Sequence, residues 1–362
     1  MKPTVAIIFG GPSAEHEVSL QSATNIYQAI DTGRFTPLLL GIDKNGDWRY
    51  RAGYDQQPVN LAERDYFSEA EKVRLLREEG RAALVRSSNS EVLAAFDIAF
   101  PIIHGTFGED GTLQAILKSL HIPFAGPDVL GSAIGMDKDA AKRLLRDAGI
   151  AVAAFYTLRK NNPHEFTYEE ITGRLGLPLF VKPANAGSSV GVSKVTSKEE
   201  YLKALDIAFD YDYKILVEEA VNGKEVECAV LGNEHVRASV VGEIVPTKDF
   251  YSYEAKYLND DGAKMKIPAD ADPSVAEAIR ATAVKAFGVL CCEGMARVDF
   301  FLKPDHTFVL NEINTLPGFT KISMYPKLWE AAGLSYNELI TELLELAVQR
   351  QRRNEALSKV RA

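Results

Sequence analysis

The sequence has few cysteines and lacks any long uninterrupted apolar stretch. Its three cysteines include the adjacent pair Cys291 and Cys292, a pattern that gives neither a disulfide framework nor the spacing of a zinc site. No apolar run approaches the roughly 20 residues of a membrane span. The first residues lead directly into a predicted strand rather than a signal peptide. These absences predict a cytoplasmic protein that does not interact with a membrane.

Positive charge is also scarce. The formal net charge is −9, which argues against a nucleic-acid partner. The short arginine-rich segment Gln349–Arg353 ends a predicted helix, where cations interact favourably with the helix dipole. The hydrophobic content of 46% is ordinary for a globular protein, and a chain of 362 residues exceeds the usual size of a single core. Two or three domains are therefore expected.

The first predicted domain covers residues 1–126. Its predicted strands are Thr4–Phe9, Pro37–Ile42 and Asp97–Ile103, and a helix is predicted at Leu113–Leu120. This alternation indicates an open, mostly parallel α/β layer. The polar, charge-dense segment Asn60–Glu91 is predicted to be an insertion with short helices at the surface.

Two further domains are predicted, over residues 127–217 and 218–362. The central domain has a predicted helix at Asp137–Gly149, with Gly149 at its C′ position, and predicted strands at Pro178–Pro183 and Gly191–Val195. The last domain has predicted strands at Val226–Leu231 and Val240–Glu243, a loop at 245–263 and a helix at Val275–Phe287. The overall fold class is α/β.

The most informative segment of the chain is a predicted β-hairpin around the turn residues Pro304 and Asp305. Because alternate residues of a strand share a face, Arg297 and Asp299 point one way from the first strand. Glu312 and Asn314 point together from the second strand. Two carboxylates and an amide brought together by antiparallel pairing suit Mg²⁺, which prefers oxygen ligands. The alternative is a sheet face that carries solvated acids.

A glycine pair near the N-terminus follows the first strand, but the acids after it argue against a dinucleotide site. Glu15 and Glu17 occupy the first turn of the next predicted helix. A helix N-terminus attracts anions, and here the protein supplies its own, so a phosphate would be repelled and an ammonium group held. The alternative for Glu15 is a purely structural capping role.

A second glycine-rich segment, Gly187–Gly191, is here called the phosphate loop. Its glycines allow close approach of backbone N–H groups to an anion, and Ser188 and Ser189 add hydroxyl donors. Lys138 and Lys182 precede it and would provide two cations for a triphosphate. The chain has no Walker-type lysine motif, so it is not a P-loop enzyme. Taken alone, the loop could equally be a simple hairpin turn.

Together these segments resemble the D-alanine–D-alanine ligase family of the ATP-grasp superfamily. The matching segments are Phe9–Ser19, His104–Thr112, Tyr253–Tyr257 and the hairpin, and the similarity runs in family order from Val5 to Gly333. The extra length between Asp47 and Phe96 resembles the longer A-type members. The resemblance implies a three-domain ATP-grasp fold. It also implies ATP-dependent ligation of two D-alanines through an acyl phosphate, releasing ADP and phosphate, for peptidoglycan synthesis.

The resemblance further implies a role for particular residues. The catalytic set is Glu15, Ser188, Tyr257, Arg297 and Gly318, and the substrate-binding set is Val18, His104, Lys256, Ser323 and Met324. The ATP-binding set is Lys138, Phe180, Lys182, Ser189, Glu218, Val221, Glu225, Phe250, Lys256 and Asn311. Asp299, Glu312 and Asn314 would hold two Mg²⁺ or Mn²⁺ ions, and K⁺ is a further candidate cofactor.

Several of these roles have plainer alternatives. Glu218 and Glu225 could be acids at a sheet edge, and His104 could be only a turn residue. The aromatic loop 245–263, which the family uses as a lid over ATP, could pack against the body of the protein. Relatives often carry Lys where Glu219 stands. The resemblance therefore supports the hydrogen bonds to the adenine edge more strongly than the packing contacts with the adenine ring.

The resemblance also implies a homodimer, and it leaves two other functions open. One is a different ATP-grasp carboxylate ligase, such as a D-alanine–D-lactate ligase. The other is a nucleotide-binding regulator without turnover, against which Arg297, Lys256 and Tyr257 argue, because binding alone needs no oxyanion site. The D configuration of the substrate follows from the resemblance alone.

Overall fold

Three β-sheets follow one another along the chain, each flanked by helices. The structure, a computed structural model, describes residues 2–78, 80–246 and 263–357. Most of the predicted lid therefore lies outside the described residues, together with the candidates Phe250, Lys256 and Tyr257. The α/β fold class is confirmed.

The first sheet has seven strands in the order β6-β5-β4-β3-β2-β1-β7. They are β1 Thr4–Gly10, β2 Thr36–Ile42, β3 Trp48–Tyr50, β4 Glu71–Glu78, β5 Arg81–Arg86, β6 Val92–Phe96 and β7 Ile98–Pro101. Helix α1 (His16–Ala29) follows β1, and α2 (Thr112–Ser119) follows β7. The buried run of β1 pairs in parallel with both β2 and β7, as the apolar pattern predicts.

The expectation of a mostly parallel layer with a helical insertion is wrong for the segment that joins β2 to β7. Strands β3 to β6 pair antiparallel and extend the sheet. The predicted short helices of Asn60–Glu91 are replaced by irregular chain and the β4–β5 hairpin. In β4 only Val73 is buried, and most side chains on both faces of the strand reach solvent. The charged residues there hide the period-2 pattern on which strand prediction depends.

The second sheet has four strands in the order β10-β9-β11-β8. They are β8 Phe155–Arg159, β9 Leu179–Pro183, β10 Ser193–Val195 and β11 Lys214–Glu219, with helices α3 Val129–Met136, α4 Lys138–Asp147, α5 Tyr168–Leu175 and α6 Lys198–Tyr211. The predicted start and end of α4 are confirmed. Asp137 caps its first turn by accepting from the Ala140 N–H, and Gly149 after its end has φ +71°.

The third sheet has five strands in the order β14-β13-β12-β15-β16. They are β12 Lys224–Gly232, β13 Arg237–Pro246, β14 Ala263–Lys266, β15 Gly294–Leu302 and β16 Phe308–Asn314, with helices α7 Pro273–Val289, α8 Met324–Ala331 and α9 Tyr336–Glu355. The predicted hairpin is confirmed as β15–β16. One face of this sheet packs on α7 through residues such as Val298 and Phe300. The other face packs on α8 and α9 through residues such as Leu231 and Met295, and elsewhere it presents polar side chains to solvent.

Helix α9 packs back on the first sheet. Leu343 of α9 belongs to the same buried cluster as Ile7 and Phe9 of β1 and Ile26 of α1. The expected boundary between residues 217 and 218 falls inside β11, whose residues all belong to the second sheet. In the described part of the chain, no helix combines the length and apolar character needed to cross a membrane.

Candidate active site

A cleft of about 630 Å³ is lined by residues of the second and third sheets and, from the N-terminal part of the chain, by the start of α1 and the loop between β7 and α2. Every described candidate except Asp299 lines it: Glu15, Val18, His104, Lys138, Phe180, Lys182, Ser188, Ser189, Glu218, Val221, Glu225, Arg297, Asn311, Glu312, Asn314, Gly318, Ser323 and Met324. Asp299 is only 1% exposed and lies beneath the cleft surface. Sequence reasoning therefore selected residues that the fold brings together.

Glu15 contacts the phosphate loop. It occupies the N-cap of α1, yet its side chain makes no capping hydrogen bond, so the capping alternative is not observed. The Ser188 hydroxyl instead donates to the Glu15 carboxylate. A Cβ atom added at Gly105 would lie 2.7 Å from Glu15 Oε2, so a glycine at this position lets the loop that carries His104 come close to the Glu15 carboxylate. Glu17 points away from this cluster, is exposed and pairs with Lys44 at 3.0 Å.

The phosphate loop is held in an uncommon backbone conformation. Ser188 and Ser189 have φ values of +52° and +59°, and Gly191 has +70°. A non-glycine residue in this left-handed region costs on the order of 1 kcal/mol, and such strain concentrates at functional sites. Lys138 Nζ donates to the Ala186 carbonyl at 2.7 Å, which places a cation beside the loop. Loop N–H groups and a nearby lysine together suit an anionic ligand.

Glu218 lies between two lysines. Lys182 Nζ is 2.7 Å from one of its carboxylate oxygens and Lys142 Nζ is 3.2 Å from the other. Burial alone would raise the pKa of Glu218, but Lys142 and Lys182 bring it below its ordinary value. Lys142 was not identified from the sequence, although its position one helical turn after Lys138 on α4 places both lysines on one face.

The predicted metal residues face one another across β15 and β16. Asp299 pairs with Glu312 and Arg297 pairs with Asn314 in the strand register. The Asn314 amide nitrogen donates to Asp299 at 2.8 Å, and its oxygen would turn to the acids when a cation lies between them. No cluster of three His, Cys, Asp or Glu side chains suited to a metal ion occurs among the described residues, so Asn314 is needed as the third ligand. Two carboxylates and an amide fit a hard divalent cation.

Arg297 lies between two carboxylates on neighbouring strands. Its guanidinium donates twice to Asp299, at 2.8 Å each, and its Nε lies 2.9 Å from Glu227 Oε2. Glu227 was missed by the sequence reasoning, although alternation along β12 places it on the same face as Glu225. The two acids fix the direction of the Arg297 side chain, which lines the cleft.

His104 is buried rather than an exposed turn residue. Its Nδ1 lies 3.0 Å from the Leu316 carbonyl and its Nε2 lies 3.3 Å from the Ser22 hydroxyl. Burial lowers the pKa of His104, so its imidazole is neutral at pH 7. With a carbonyl beside Nδ1, the proton resides on that nitrogen.

Gly318 and Ser323 lie together at the start of α8. A Cβ atom added at Gly318 would lie 2.7 Å from the Ser323 hydroxyl oxygen. Ser323 occupies the N-cap of α8, and its hydroxyl accepts from the Thr320 N–H at 2.9 Å. A helix N-terminus of this kind favours a carboxylate ligand.

The fold and the cleft define the class of protein, an ATP-grasp ligase. The sequence matches the family described as D-ala D-ala ligase N-terminus over residues 4–127 and that described as D-ala D-ala ligase C-terminus over residues 144–345. The chain belongs to the D-alanine–D-alanine ligase family.

Curated relatives and solved structures agree with this assignment. The chain is 54% identical to D-alanine–D-alanine ligase A of Escherichia coli K12, over 98% of each chain. It is 52% identical to D-alanine–D-alanine ligase of Oceanobacillus iheyensis, over 100% of each. Among solved structures it is similar to the D-alanine–D-alanine ligase of Coxiella burnetii, with TM-score 0.86 and 36% identity over 98% of this chain and 96% of that one. The VanG D-Ala:D-Ser ligase of Enterococcus faecalis gives TM-score 0.85 and 37% identity over 96% and 100%.

Proposed function

We propose that this chain uses ATP to join two D-alanine molecules into D-alanyl-D-alanine, for peptidoglycan synthesis. The observation that carries the proposal is the hydrogen bond from Ser188 to Glu15. It sets a carboxylate suited to an ammonium group directly against a loop suited to phosphates. An amino acid held by Glu15 would therefore have its own carboxylate beside the terminal phosphate of ATP.

The nucleotide would occupy the side of the cleft between the second and third sheets. Lys138, Lys182 and the phosphate loop, including Ser189, would bind the triphosphate. Glu218 and the Val221 backbone would bind the adenine edge and Glu225 the ribose, with Phe180 and Asn311 completing the pocket. The lowered pKa of Glu218 supports this role, because an ionised carboxylate accepts hydrogen bonds from an amino group.

Asp299, Glu312 and Asn314 would hold two Mg²⁺ or Mn²⁺ ions. Bound there, the metal supplies positive charge that offsets repulsion between an attacking carboxylate and the triphosphate. Lys138 lies 3.7 Å from Glu312, so the same acids orient this lysine toward the phosphates. A potassium ion is a further candidate cofactor.

The reaction would proceed in two steps. The carboxylate of the first D-alanine attacks the γ-phosphorus of ATP, forming an acyl phosphate and ADP. The amine of the second D-alanine then attacks the acyl carbon, and phosphate leaves as the C–N bond forms. Arg297 and the Gly318 N–H would stabilise the oxyanion of the tetrahedral intermediate. Ser323 and Met324, at the start of α8, would bind the carboxylate of the second D-alanine.

Other residues would complete the site. Val18 and His104 would border the first D-alanine. Lys256, Tyr257 and Phe250, outside the described residues, are assigned by resemblance to the lid over ATP. Tyr257 would complete a hydrogen-bonded set with Glu15 and Ser188. The chain would act as a cytoplasmic homodimer. Its three domains would follow the expected division, except that the second would extend through Glu219, the end of β11.

The test is a measurement of phosphate release with ATP and Mg²⁺, combined with mass spectrometry of the product. D-alanine, L-alanine, D-lactate and D-serine would be compared as substrates, the last two together with D-alanine. D-Alanyl-D-alanine as the main product supports the proposal. A mixed product, with D-lactate or D-serine preferred, would assign a different ligase. Binding of ATP without phosphate release under any condition would point to a regulator.

A further inference from the structure

Glu109 links two loops that are far apart in the chain. Its Oε1 accepts a hydrogen bond from the Gly105 N–H at 2.8 Å, within its own loop between β7 and α2. Its Oε2 accepts from the Leu316 N–H at 3.3 Å, in the segment after β16. The two loops come from the first and third sheets. Because one carboxylate bonds to both, its position fixes the distance between them.

His104 and Ser22 bind the same segment from the same side. The Leu316 carbonyl lies 3.0 Å from His104 Nδ1, so both backbone polar groups of Leu316 contact the loop that carries Glu109. The Ser22 hydroxyl lies 3.3 Å from His104 Nε2 and accepts from the Phe319 N–H at 3.3 Å. Gly318 lies between the two anchored residues. The position of its N–H is therefore set by contacts with the first sheet.

We propose that Glu109 is a positioning residue that couples the loop around His104 to the Gly318 segment. This inference rests on the proposed function, in which the Gly318 N–H stabilises an oxyanion. Glu109 would not itself touch the reacting atoms. It would hold the Gly318 N–H at a fixed distance from the first substrate, which lies against Glu15. A small misplacement of such a group costs up to about 100-fold in rate.

The charged groups around Glu109 give the coupling a pH dependence. Burial, and next the charge of Glu15, raise the pKa of Glu109 to about 8, while the Gly105 and Leu316 N–H groups and Arg297 act in the opposite direction. His104, packed beside it, is neutral. Below pH 8 the Glu109 carboxyl is therefore protonated, and above pH 8 it is an anion. An anionic acceptor strengthens both N–H hydrogen bonds, so the two loops are joined more firmly as the pH rises.

Asp110 provides a matched control. It is the next residue in the same loop, and its carboxylate also accepts two backbone N–H groups, from Phe107 at 2.8 Å and Thr112 at 2.9 Å. Both partners lie within its own loop and the start of α2. Asp110→Asn therefore perturbs the loop locally without touching the link to Leu316. Glu109→Gln removes that link partly, and Glu109→Ala removes it fully.

Hydrogen exchange of the full-length protein tests the coupling independently of catalysis. We expect Glu109→Ala to speed exchange at both Gly105 and the segment Leu316–Phe319 by about tenfold or more, since a protecting hydrogen bond is lost at each. We expect Asp110→Asn to affect only Phe107 and Thr112. Unchanged exchange at Leu316–Phe319 in Glu109→Ala would overturn the proposal, even if the wild type formed no dipeptide.

Kinetics then separate positioning from general stability. We expect Glu109→Gln to lower kcat by about 10- to 100-fold, Glu109→Ala to lower it further, and the KM for ATP to stay within about twofold. The ratio of wild-type to Glu109→Gln activity should rise as the pH passes through 8, because only the wild type gains the anion. A kcat within twofold of wild type in both variants, or a pH-independent ratio, would contradict the inference.

Discussion

Ser188 donates a hydrogen bond to Glu15, a residue 173 positions earlier in the chain. Glu15 belongs to the helix after the first strand, and Ser188 to the phosphate loop of the second sheet. The bond therefore joins the proposed amino-acid site to the proposed nucleotide site in a single contact. Closing this contact also constrains how the first and second sheets are arranged around the cleft.

Replacing Glu15 with Gln should weaken use of the first D-alanine. The substitution removes the charge that would hold the ammonium group, a loss of about 1.5–3 kcal/mol for a charge-assisted hydrogen bond. We expect kcat/KM for D-alanine to fall by about 10- to 100-fold while the KM for ATP changes little. Steady-state kinetics with each substrate varied in turn would measure this. Glu17→Gln is the matched control, because Glu17 is exposed and pairs only with Lys44 in the described contacts; equal losses in both variants would contradict the assignment.

Replacing Glu312 with Gln should abolish turnover at limiting Mg²⁺ while leaving the protein folded. One carboxylate fewer weakens a site for a hard cation. The change also removes repulsion between Glu312 and Asp299, which are paired in the strand register, so the thermal midpoint should hold or rise. Phosphate release against Mg²⁺ concentration is the measurement. Asp305→Asn in the exposed turn of the same hairpin should leave activity unchanged, and normal activity of Glu312→Gln at low Mg²⁺ would refute the metal site.

The two lysines around Glu218 predict unequal losses of stability for two substitutions. Glu218→Gln leaves Lys142 and Lys182 facing each other without their shared counter-charge, which should cost about 3–5 kcal/mol of folding free energy. Lys142→Met removes one buried charge and leaves the neutral pair Lys182–Glu218, so the cost should stay below about 1 kcal/mol. Denaturant unfolding of both variants without nucleotide would decide. A larger loss of unfolding free energy in Lys142→Met than in Glu218→Gln would contradict the view that Glu218 is the counter-charge shared by both lysines.

Tyr257 should influence the choice of the second substrate. A phenol with a reference pKa of about 10 is neutral at pH 7, so in the proposed site Tyr257 would add no positive charge and an ammonium group would be tolerated. Tyr257→Lys would repel that ammonium and favour the neutral hydroxyl of D-lactate. We expect the ratio of D-lactate to D-alanine products to rise, and to rise more as the pH falls. Efficient formation of D-alanyl-D-lactate by the wild type at pH 7 would argue against this role.

Local patterns were sufficient to predict the hairpin, whereas most of the cleft residues were predicted from the resemblance to a known family. The β15–β16 pairing was readable because two apolar-rich runs flank the turn residues Pro304 and Asp305. The same reasoning failed for β4, where side chains on both faces meet solvent and the alternation disappears. Local sequence therefore predicts a strand where it carries an apolar run, as in β1, or where burial differs between the two faces, and β4 has neither feature.

The residues that were missed act across long distances in the chain. Glu109 reaches Leu316 and Lys142 reaches Glu218, contacts that no local spacing encodes. A carboxylate in a loop and a lysine on an amphipathic helix are, by pattern alone, surface residues. Their burial follows from the packing of one sheet against another, which becomes apparent only in three dimensions.

The packing of α9 against α1 and β7 has a consequence for biosynthesis. Leu343 of α9 belongs to the same buried cluster as Ile7 and Phe9 of β1. A ribosome adding about 5–20 residues per second would release the first sheet many seconds before α9 emerges. During that interval the residues of α1 and β7 that face α9 lack these contacts, which leaves apolar surface open to chaperones and to aggregation. The first sheet thus gains the cover of α9 only after that helix has been translated.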